Sequence, residues 1–160
     1  MMASVRFDAR RSVPAEPQAV WEELTDWSRH GAWVPATRVI AAPGDPRAAG
    51  ATFTAWTGIG RLALEDRMRV TRCVWDPAAR RGECEVEKLG PVLRGRAAFT
   101  VAPEGDGAAV DWSEDVTVPL LPQFLAGAVA QVSAAVFRYG LGTLARTMAG
   151  APQRLNREAR

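Results

Sequence analysis

The chain has 160 residues, enough for one domain that buries a substantial core. Its 20 Lys and Arg residues nearly balance its 18 Asp and Glu residues, so the net charge near +2 gives no reason to expect nucleic acid as a partner. The first residues contain no apolar run typical of a signal peptide, and we therefore expect a cytoplasmic protein. Cys73 and Cys84 fall in neighbouring predicted strands, where a disulfide is conceivable, but reduced thiols are the prediction for this compartment.

The N-terminal third predicts one strand, two short helices and a second strand. Residues 5–13 alternate weakly, as expected for a strand. Pro17 is placed to begin a helix with an apolar face, and Asp26 is placed to cap a second short helix over residues 27–32. Residues 37–41 then predict a short strand, so both helices lie between the first two strands.

Further strands are predicted between turns rich in Gly, Pro and Asp, over residues 50–57, 62–75, 81–89, 92–101 and 109–118. Alternation within residues 62–75 puts Leu64, Asp66 and Met68 on the face that we expect to be buried. In the last strand the corresponding face carries Val110, Trp112, Glu114, Val116 and Val118.

A long helix over residues 122–148 is predicted to follow, because prolines end the strand pattern and apolar residues then recur at helical spacing. The stripe expected to face the sheet comprises Leu125, Val129, Val132, Val136 and Tyr139. Pro and Gln residues interrupt this apolar segment, so we expect a buried amphipathic helix and no membrane span. Residues 1–150 are thus predicted to form a single domain, and the polar residues 151–160 to form a frayed tail.

Several short motifs accompany this order of elements: Val13-Pro14-Ala15, Val20-Trp21, Leu24-Thr25-Asp26-Trp27, Trp33-Val34-Pro35, Gly50-Ala51-Thr52-Phe53, Glu65-Asp66 and Val110-Asp111-Trp112. Together they resemble the START-like superfamily, which contains polyketide cyclases, aromatases and relatives of the birch pollen allergen. The resemblance covers about residues 3–149. It implies an α+β helix-grip fold, in which a seven-stranded curved antiparallel sheet wraps around a long C-terminal helix and encloses an apolar cavity.

Several kinds of chemistry are not expected, because the sequence motifs that carry them are absent. The sequence has no phosphate-binding glycine loop, paired CxxC motif, HExxH motif or nucleophile elbow. Its single histidine cannot build a histidine-rich metal site. We therefore expect no metal and no organic cofactor.

Two carboxylates are candidates for acid-base chemistry. Glu114 and Asp66 fall on the predicted inner faces of their strands, where burial would raise the pKa of a carboxyl group. Alternatively, a bulge turns Glu114 outward or an arginine such as Arg94 or Arg96 neutralises it. Asp66 has its own alternative, a local role in capping or pairing with backbone near a bulge.

His30 and Tyr139 are the other two catalytic candidates. His30 follows Asp26 by four residues, so Asp26 is placed to fix the imidazole tautomer if the short helix continues. The alternative is a histidine that is simply packed or exposed. Tyr139, the only tyrosine, is predicted to face inward, where its hydroxyl would orient a ligand or bond to backbone.

Aromatic and apolar side chains are expected to line the cavity, because such surfaces dominate apolar ligand pockets, although most of them must also fill the core. Phe53 and Trp56 lie on opposite faces of one strand, so at most one of them faces the cavity unless a bulge intervenes. The resemblance places Trp33 near the cavity entrance. The candidate ligand-binding residues are Trp33, Phe53, Trp56, Leu64, Met68, Phe99, Trp112, Leu125, Val129, Val132 and Val136.

The leading functional prediction is a START-like domain that binds a small apolar molecule of the polyketide, lipid or isoprenoid class. One alternative is a cyclase or aromatase that uses at least two of the four catalytic candidates within one cavity. Another is a protein-interaction module. The expected oligomeric state is a monomer or a weak homodimer.

Overall fold

Seven antiparallel strands form one sheet in the order β1-β7-β6-β5-β4-β3-β2. The computed structural model describes residues 2–150. The strands are β1 (Met2–Val13), β2 (Thr37–Ala41), β3 (Thr52–Thr57), β4 (Leu64–Asp76), β5 (Arg81–Leu89), β6 (Arg94–Glu104) and β7 (Gly107–Pro119). Helix α1 (Pro17–Thr25) and a 3-10 helix (Trp27–Ala32) connect β1 to β2, and the long helix α2 (Ala126–Ala149) follows β7. The helix-grip architecture predicted from the sequence is therefore confirmed.

Element boundaries agree closely with the prediction where the hydrophobic alternation is strict. β2 and β5 have the predicted limits, and β7 is longer by a residue or two at each end. β1 begins three residues earlier than predicted, and β6 is shifted by two to three residues toward the C-terminus. The starts of β4 and α2 are later than predicted because short 3-10 turns precede them, Gly60–Leu62 and Gln123–Leu125. The predicted tail, residues 151–160, lies outside the described residues.

The inner face of the sheet is buried and its outer face carries charged pairs. In β7, Trp112 and Glu114 are buried while Asp111 and Asp115 are exposed, which is the predicted alternation. The outer carboxylates are paired with arginines across the strands, as in Arg10 with Asp111 and Arg69 with Glu87. Core and cavity therefore lie on the side of the sheet that faces α1 and α2.

An aromatic cluster fills the part of the core beneath α1. Trp27 stacks on Phe53 with ring centroids 4.3 Å apart, and Trp21 packs against Phe99 at 5.7 Å. Gly82 lies beneath Trp21, and a Cβ atom at this position would overlap the indole ring. The missing side chain on β5 therefore lets α1 lie close to the sheet.

Helix α2 uses small residues to approach its neighbours, and this corrects the predicted stripe. Its buried residues are Ala126, Ala134, Gly140, Leu141, Gly142 and Leu144. A Cβ atom at Gly140 would lie 2.9 Å from the carbonyl oxygen of Trp33, so close backbone approach explains this glycine. Tyr139, which was predicted to face inward, is instead 64% exposed. The prediction gave inward positions to large apolar residues, whereas this contact requires small ones.

The outer side of α2 is unusually apolar. Segment Gln123–Ala149 is long and apolar enough, by length and composition alone, to cross a membrane. In the structure the helix packs along β1, with Leu141 and Leu144 fully buried. Tyr139 on the helix and Phe124 in the preceding 3-10 turn remain exposed outside this contact.

Candidate functional site

A cavity of about 340 Å³ lies between the inner face of the sheet and α2. Apolar and aromatic side chains form most of its wall, among them Trp27, Phe53, Phe99, Trp112 and Phe137. A small set of polar and charged side chains interrupts this lining, namely His30, Thr37, Thr57, Asp66, Lys88, Glu114 and Ser133. A large apolar surface with a few polar groups is the usual composition of a small-molecule site.

Three charged side chains meet in this wall, and we refer to Asp66, Lys88 and Glu114 as the charged triad. The Lys88 ammonium donates a hydrogen bond to Asp66 Oδ2 and lies 3.4 Å from Glu114 Oε2. All three residues are at least nine-tenths buried. Charges this far from water are tolerated only when they are paired and hydrogen-bonded, so the three side chains depend on each other.

The sheet register explains how Lys88 reaches both carboxylates. Lys88 on β5 pairs with Met68 on β4, close to Asp66 on the same strand. On its other side Lys88 pairs with Gly95 of β6, which has no side chain. The long lysine chain extends across β6 to Glu114 on β7. Gly95 has a φ of 139° and its missing Cβ would collide with backbone of β7, so a side chain is excluded there.

Hydrogen bonds leave one polar atom of the charged triad unpartnered. Glu114 Oε1 accepts a hydrogen bond from Trp112 Nε1 at 3.1 Å. Lys88 Nζ also lies 3.9 Å from the weak acceptor Met68 Sδ. Asp66 Oδ1 is buried and has no hydrogen-bond partner within residues 2–150. Buried acceptors are normally satisfied, so this oxygen is an exception within the charged triad.

Electrostatics keep Lys88 charged. Burial lowers the pKa of its ammonium group, but the charges of Glu114 and Asp66 and their hydrogen bonds outweigh this effect and raise the pKa above its ordinary value. Lys88 is therefore an ammonium ion at neutral pH and lacks the free amine that a Schiff-base nucleophile requires.

His30 is a neutral imidazole fixed by backbone. Its Nε2 donates a hydrogen bond to the carbonyl oxygen of Leu24 at 2.7 Å, and burial lowers its pKa to about 4. Nδ1 is then the unprotonated nitrogen, and the described part of the chain gives it no hydrogen-bond partner. The prediction that Asp26 fixes the tautomer is wrong, because Asp26 instead accepts a hydrogen bond from Ser28. The segment is a 3-10 helix, whose three residues per turn separate positions i and i+4.

Most of the predicted ligand-binding residues lie in the cavity wall. The structure places there Phe53, Leu64, Met68, Phe99, Trp112, Val129, Val132 and Val136, together with the catalytic candidates His30, Asp66 and Glu114. Their roles remain predictions, but the geometry brings them to one enclosed space.

Trp33 and Trp56 lie outside that wall. Trp33 is buried behind it, against His30 with ring centroids 4.8 Å apart. Trp56 lies on the outer face of β3, where the guanidinium of Arg38 covers its ring at 4.9 Å. Phe53 is thus the member of this strand pair that faces the cavity, because alternation sends Trp56 to the other face.

Leu125 and Tyr139 are also corrected. Leu125 belongs to the 3-10 turn before α2 and is 39% exposed. The ring of Tyr139 lies on the solvent side of α2, about 6.0 Å from the guanidinium of Arg146. Neither residue lines the cavity. Tyr139 therefore cannot orient a ligand there.

Lys88 is the functional residue that the sequence interpretation missed. Its signal was available, because Lys88 is the only lysine of the chain and shares strand parity with the buried Cys84 and Val86. Arg94 and Arg96, the neutralising partners considered for Glu114, do not contact it. A lysine on the predicted inner face of one strand, together with carboxylates on the inner faces of nearby strands, is the sequence pattern that predicts such a triad.

Cysteine and metal chemistry find little support in the cavity. Cys73 and Cys84 are opposite each other in the β4–β5 register and are free thiols. A hydrogen bond with Cys73 and burial raise the pKa of the Cys84 thiol, so it stays protonated and unreactive. Over residues 2–150 no group of three or more His, Cys, Asp and Glu side chains is arranged to hold a metal ion.

Comparison with known proteins identifies the family of the chain. Residues 4–149 match the family described as "Polyketide cyclase / dehydrase and lipid transport". The chain belongs to this family. The match extends over nearly all of the described residues. It therefore includes the sheet, α2 and the residues that line the cavity.

Solved structures support the same fold. A Thermobifida fusca protein, solved in solution by NMR, is 25% identical, with 91% of this chain and 92% of that chain covered and a TM-score of 0.62. A crystal structure of a Thermus thermophilus protein is 18% identical, with coverage of 92% and 99% and a TM-score of 0.69. A START superfamily protein from Mycobacterium smegmatis is 16% identical, with coverage of 89% and 98% and a TM-score of 0.67. The family match confirms the predicted relationship to polyketide cyclases, and these structures share the fold of the chain. No curated protein matches the chain.

Replacing Lys88 tests the mutual dependence of the charged triad. In Lys88→Met, Asp66 and Glu114 lose their buried cation, and we expect the free energy of unfolding at pH 7 to fall by about 3–5 kcal/mol in urea titrations. In the wild type, the raised pKa of Lys88 means that its stabilisation is present below about pH 10.5 and is lost as the pH rises above it.

Arg69→Met is the matched control for Lys88→Met. It removes a cation from the half-exposed pair with Glu87, and we expect a change of no more than about 1 kcal/mol. Equal effects of the two substitutions would contradict the buried ion network.

His30 should lower the free energy of unfolding as the pH falls from 6.5 to 4. Its pKa is lowered from 6.5 to about 4, so the folded protein binds fewer protons than the unfolded chain between these values. We expect stability to fall by about 3 kcal/mol from this group as the pH drops from 6.5 to 4. Because the chain has one histidine, its imidazole resonances in an NMR titration report this pKa directly. A midpoint near 6.5 would contradict the buried neutral imidazole, and in His30→Gln this part of the pH dependence should disappear.

Proposed function

We propose that this protein binds a small, largely apolar molecule of the polyketide, lipid or isoprenoid class in the cavity between the sheet and α2. The observation that carries the proposal is the cavity itself, about 340 Å³ in volume and lined mainly by aromatic and aliphatic side chains. This volume is at the lower end of the range of small-molecule sites. The family description, which names cyclases, dehydrases and lipid transport, is consistent with such a ligand.

The wall of the cavity favours a flat or branched apolar body. Phe99 stacks on Trp112 with ring centroids 5.4 Å apart, and Trp112 stacks in turn on Phe137 of α2 at 4.9 Å. These rings provide a continuous aromatic surface next to the charged triad. Burial of apolar area against such a surface contributes roughly 25 cal/mol per Å², which is the main source of affinity for a ligand of this kind.

A cyclase or aromatase activity is the second candidate, and a specific observation favours it. His30, Asp66 and Glu114 all border the same cavity, where the neutral His30 could accept a proton from a carbon next to a ligand carbonyl. Both carboxylates are engaged by Lys88, so His30 is the better base. A cyclase would convert a linear poly-β-ketone analogue into a cyclised or dehydrated product, whereas a carrier would release it unchanged.

Protein partners, oligomeric state and cellular location are also proposals. A protein-interaction role stays a prediction, supported by the exposed apolar side chains of Leu120 and Phe124 but opposed by the ion pairs on the outer sheet face. We propose a cytoplasmic location, consistent with the free thiols of Cys73 and Cys84, and a monomer or weak homodimer.

Filling the cavity tests the proposal. Ser133 on α2 lines the cavity, and Ser133→Phe places a ring in that space. The control Ala135→Phe places the same ring on the exposed side of the same helix. With the neutral probe N-phenyl-1-naphthylamine, whose fluorescence rises in apolar surroundings, we expect saturable binding to the wild type and to Ala135→Phe. For Ser133→Phe we expect at least about tenfold weaker binding, or about 1.4 kcal/mol.

Circular dichroism of both variants ensures that folded proteins are compared. Equal binding by folded Ser133→Phe, or no binding by the wild type, would contradict a ligand site in this cavity.

A further inference from the structure

We propose that the ligand carries a hydrogen-bond donor, a hydroxyl or a protonated amine, that binds Asp66 Oδ1, and that the cavity discriminates against carboxylates. This inference rests on the proposed function, since it names the polar end of the molecule that the cavity would hold. It depends on the hydrogen bonds of the charged triad and on the sign of its charges.

The four carboxylate oxygens of the charged triad differ in their hydrogen-bond partners. Both oxygens of Glu114 face protein donors, Trp112 Nε1 and Lys88 Nζ, and Asp66 Oδ2 accepts from Lys88. Asp66 Oδ1 is left without a partner among the described residues, although its residue is only 9% exposed. An ionised carboxylate oxygen can only accept hydrogen bonds. The complementary ligand group must therefore donate one.

Asp66 is the less covered partner of Lys88 in the cavity wall. The Asp66 side chain as a whole is 11% exposed, against 4% for that of Lys88. In the β3–β4 register Asp66 pairs with Ala55, whose small side chain also lines the cavity. Oδ1 itself is buried, so a ligand group reaches it by displacing part of its cover on the side of this small residue, whereas Met68 and the two carboxylates surround Lys88.

The charged triad contains more acidic groups than basic ones. One ammonium group is shared by two acidic side chains, so Lys88 can balance only one of them. A ligand carboxylate would bring a third acidic group into a wall with little water, where repulsion between like charges is strong. A neutral hydroxyl avoids this repulsion, and a protonated amine supplies the missing positive charge.

A second acceptor fits the same ligand chemistry. With Nε2–H donated to Leu24, the Nδ1 atom of His30 is an acceptor in the same cavity wall. Among the described residues, Lys88 is the only formally charged donor of the wall, and the triad already engages it. The hydroxyls of Thr37, Thr57 and Ser133 in the wall can donate or accept. The free positions at Asp66 and His30 are acceptors, and a molecule with several hydroxyl groups on an apolar frame satisfies them best.

A matched ligand series tests this inference. The probes are 2-naphthylmethanol, 2-naphthylmethylamine and 2-naphthoate, which share one aromatic body and differ in the polar group. Isothermal titration calorimetry with the full chain at pH 7 should show the alcohol and the amine binding at least about tenfold more tightly than the carboxylate, or about 1.4 kcal/mol. The alcohol and amine arms separate recognition of a hydroxyl from recognition of a cation.

Asp66→Asn assigns the preference to a residue. The amide has nearly the same shape, and Lys88 keeps its contact with Glu114. We expect the variant to lose the preference for the amine over the carboxylate, while Asp106→Asn, in the exposed β6–β7 turn, keeps it. An unchanged preference in folded Asp66→Asn would overturn the assignment.

The wild-type series alone decides the inference if Asp66→Asn does not fold. Tight binding of naphthoate, equal to or stronger than that of the alcohol, overturns the inference and leaves the proposed cavity function intact. If none of the three compounds binds, and N-phenyl-1-naphthylamine does not bind either, the proposed function fails together with the inference.

Discussion

The ion network of Lys88 with Asp66 and Glu114 is the interaction on which the rest of this structure depends. Moving three charged groups away from water costs several kcal/mol for each ion, and only their mutual contacts offset that cost. Because the three residues come from β4, β5 and β7, a shift of one residue in any of these strands would send a charged side chain to the opposite face. The network thus ties the sheet register to the composition of the cavity wall. Gly95 lies opposite Lys88 in this register, and its missing side chain lets β6 and β7 approach each other.

The cavity remains open because α2 contacts the protein unevenly. Toward its C-terminal half, Gly140, Leu141 and Leu144 pack tightly against β1 and the Trp33 segment. At its N-terminal end, Ala126 is buried against β1 and β7. Between these two ends, Val129 and Val132 border the cavity and are only partly covered. The packed ends fix the helix, and its loosely covered middle leaves room between the helix and the sheet. A small molecule with an apolar body and a donating polar end would complete the contact in this middle part.

The sheet was predictable because its alternation is strict, whereas α2 was only partly predictable. In β7 the buried and exposed residues alternate as the sequence indicates, which placed Trp112 and Glu114 correctly. For α2 the sequence indicates a helix but not its inner face, because Ala134 and Gly140 contribute more to the contact than Tyr139. Small residues carry a weak hydropathy signal even where close packing requires them. Lys88 was missed for a related reason, since an isolated lysine is normally solvated and its burial depends on two carboxylates distant in sequence.

Native mass spectrometry of the protein purified from its own host tests whether the cavity beside the charged triad holds an apolar molecule with a hydrogen-bond donor. The small molecule released on denaturation is then identified. We expect a non-covalent adduct that carries a hydroxyl or amine on an apolar frame. A bare chain in every preparation, or a retained carboxylic acid, would contradict such a ligand.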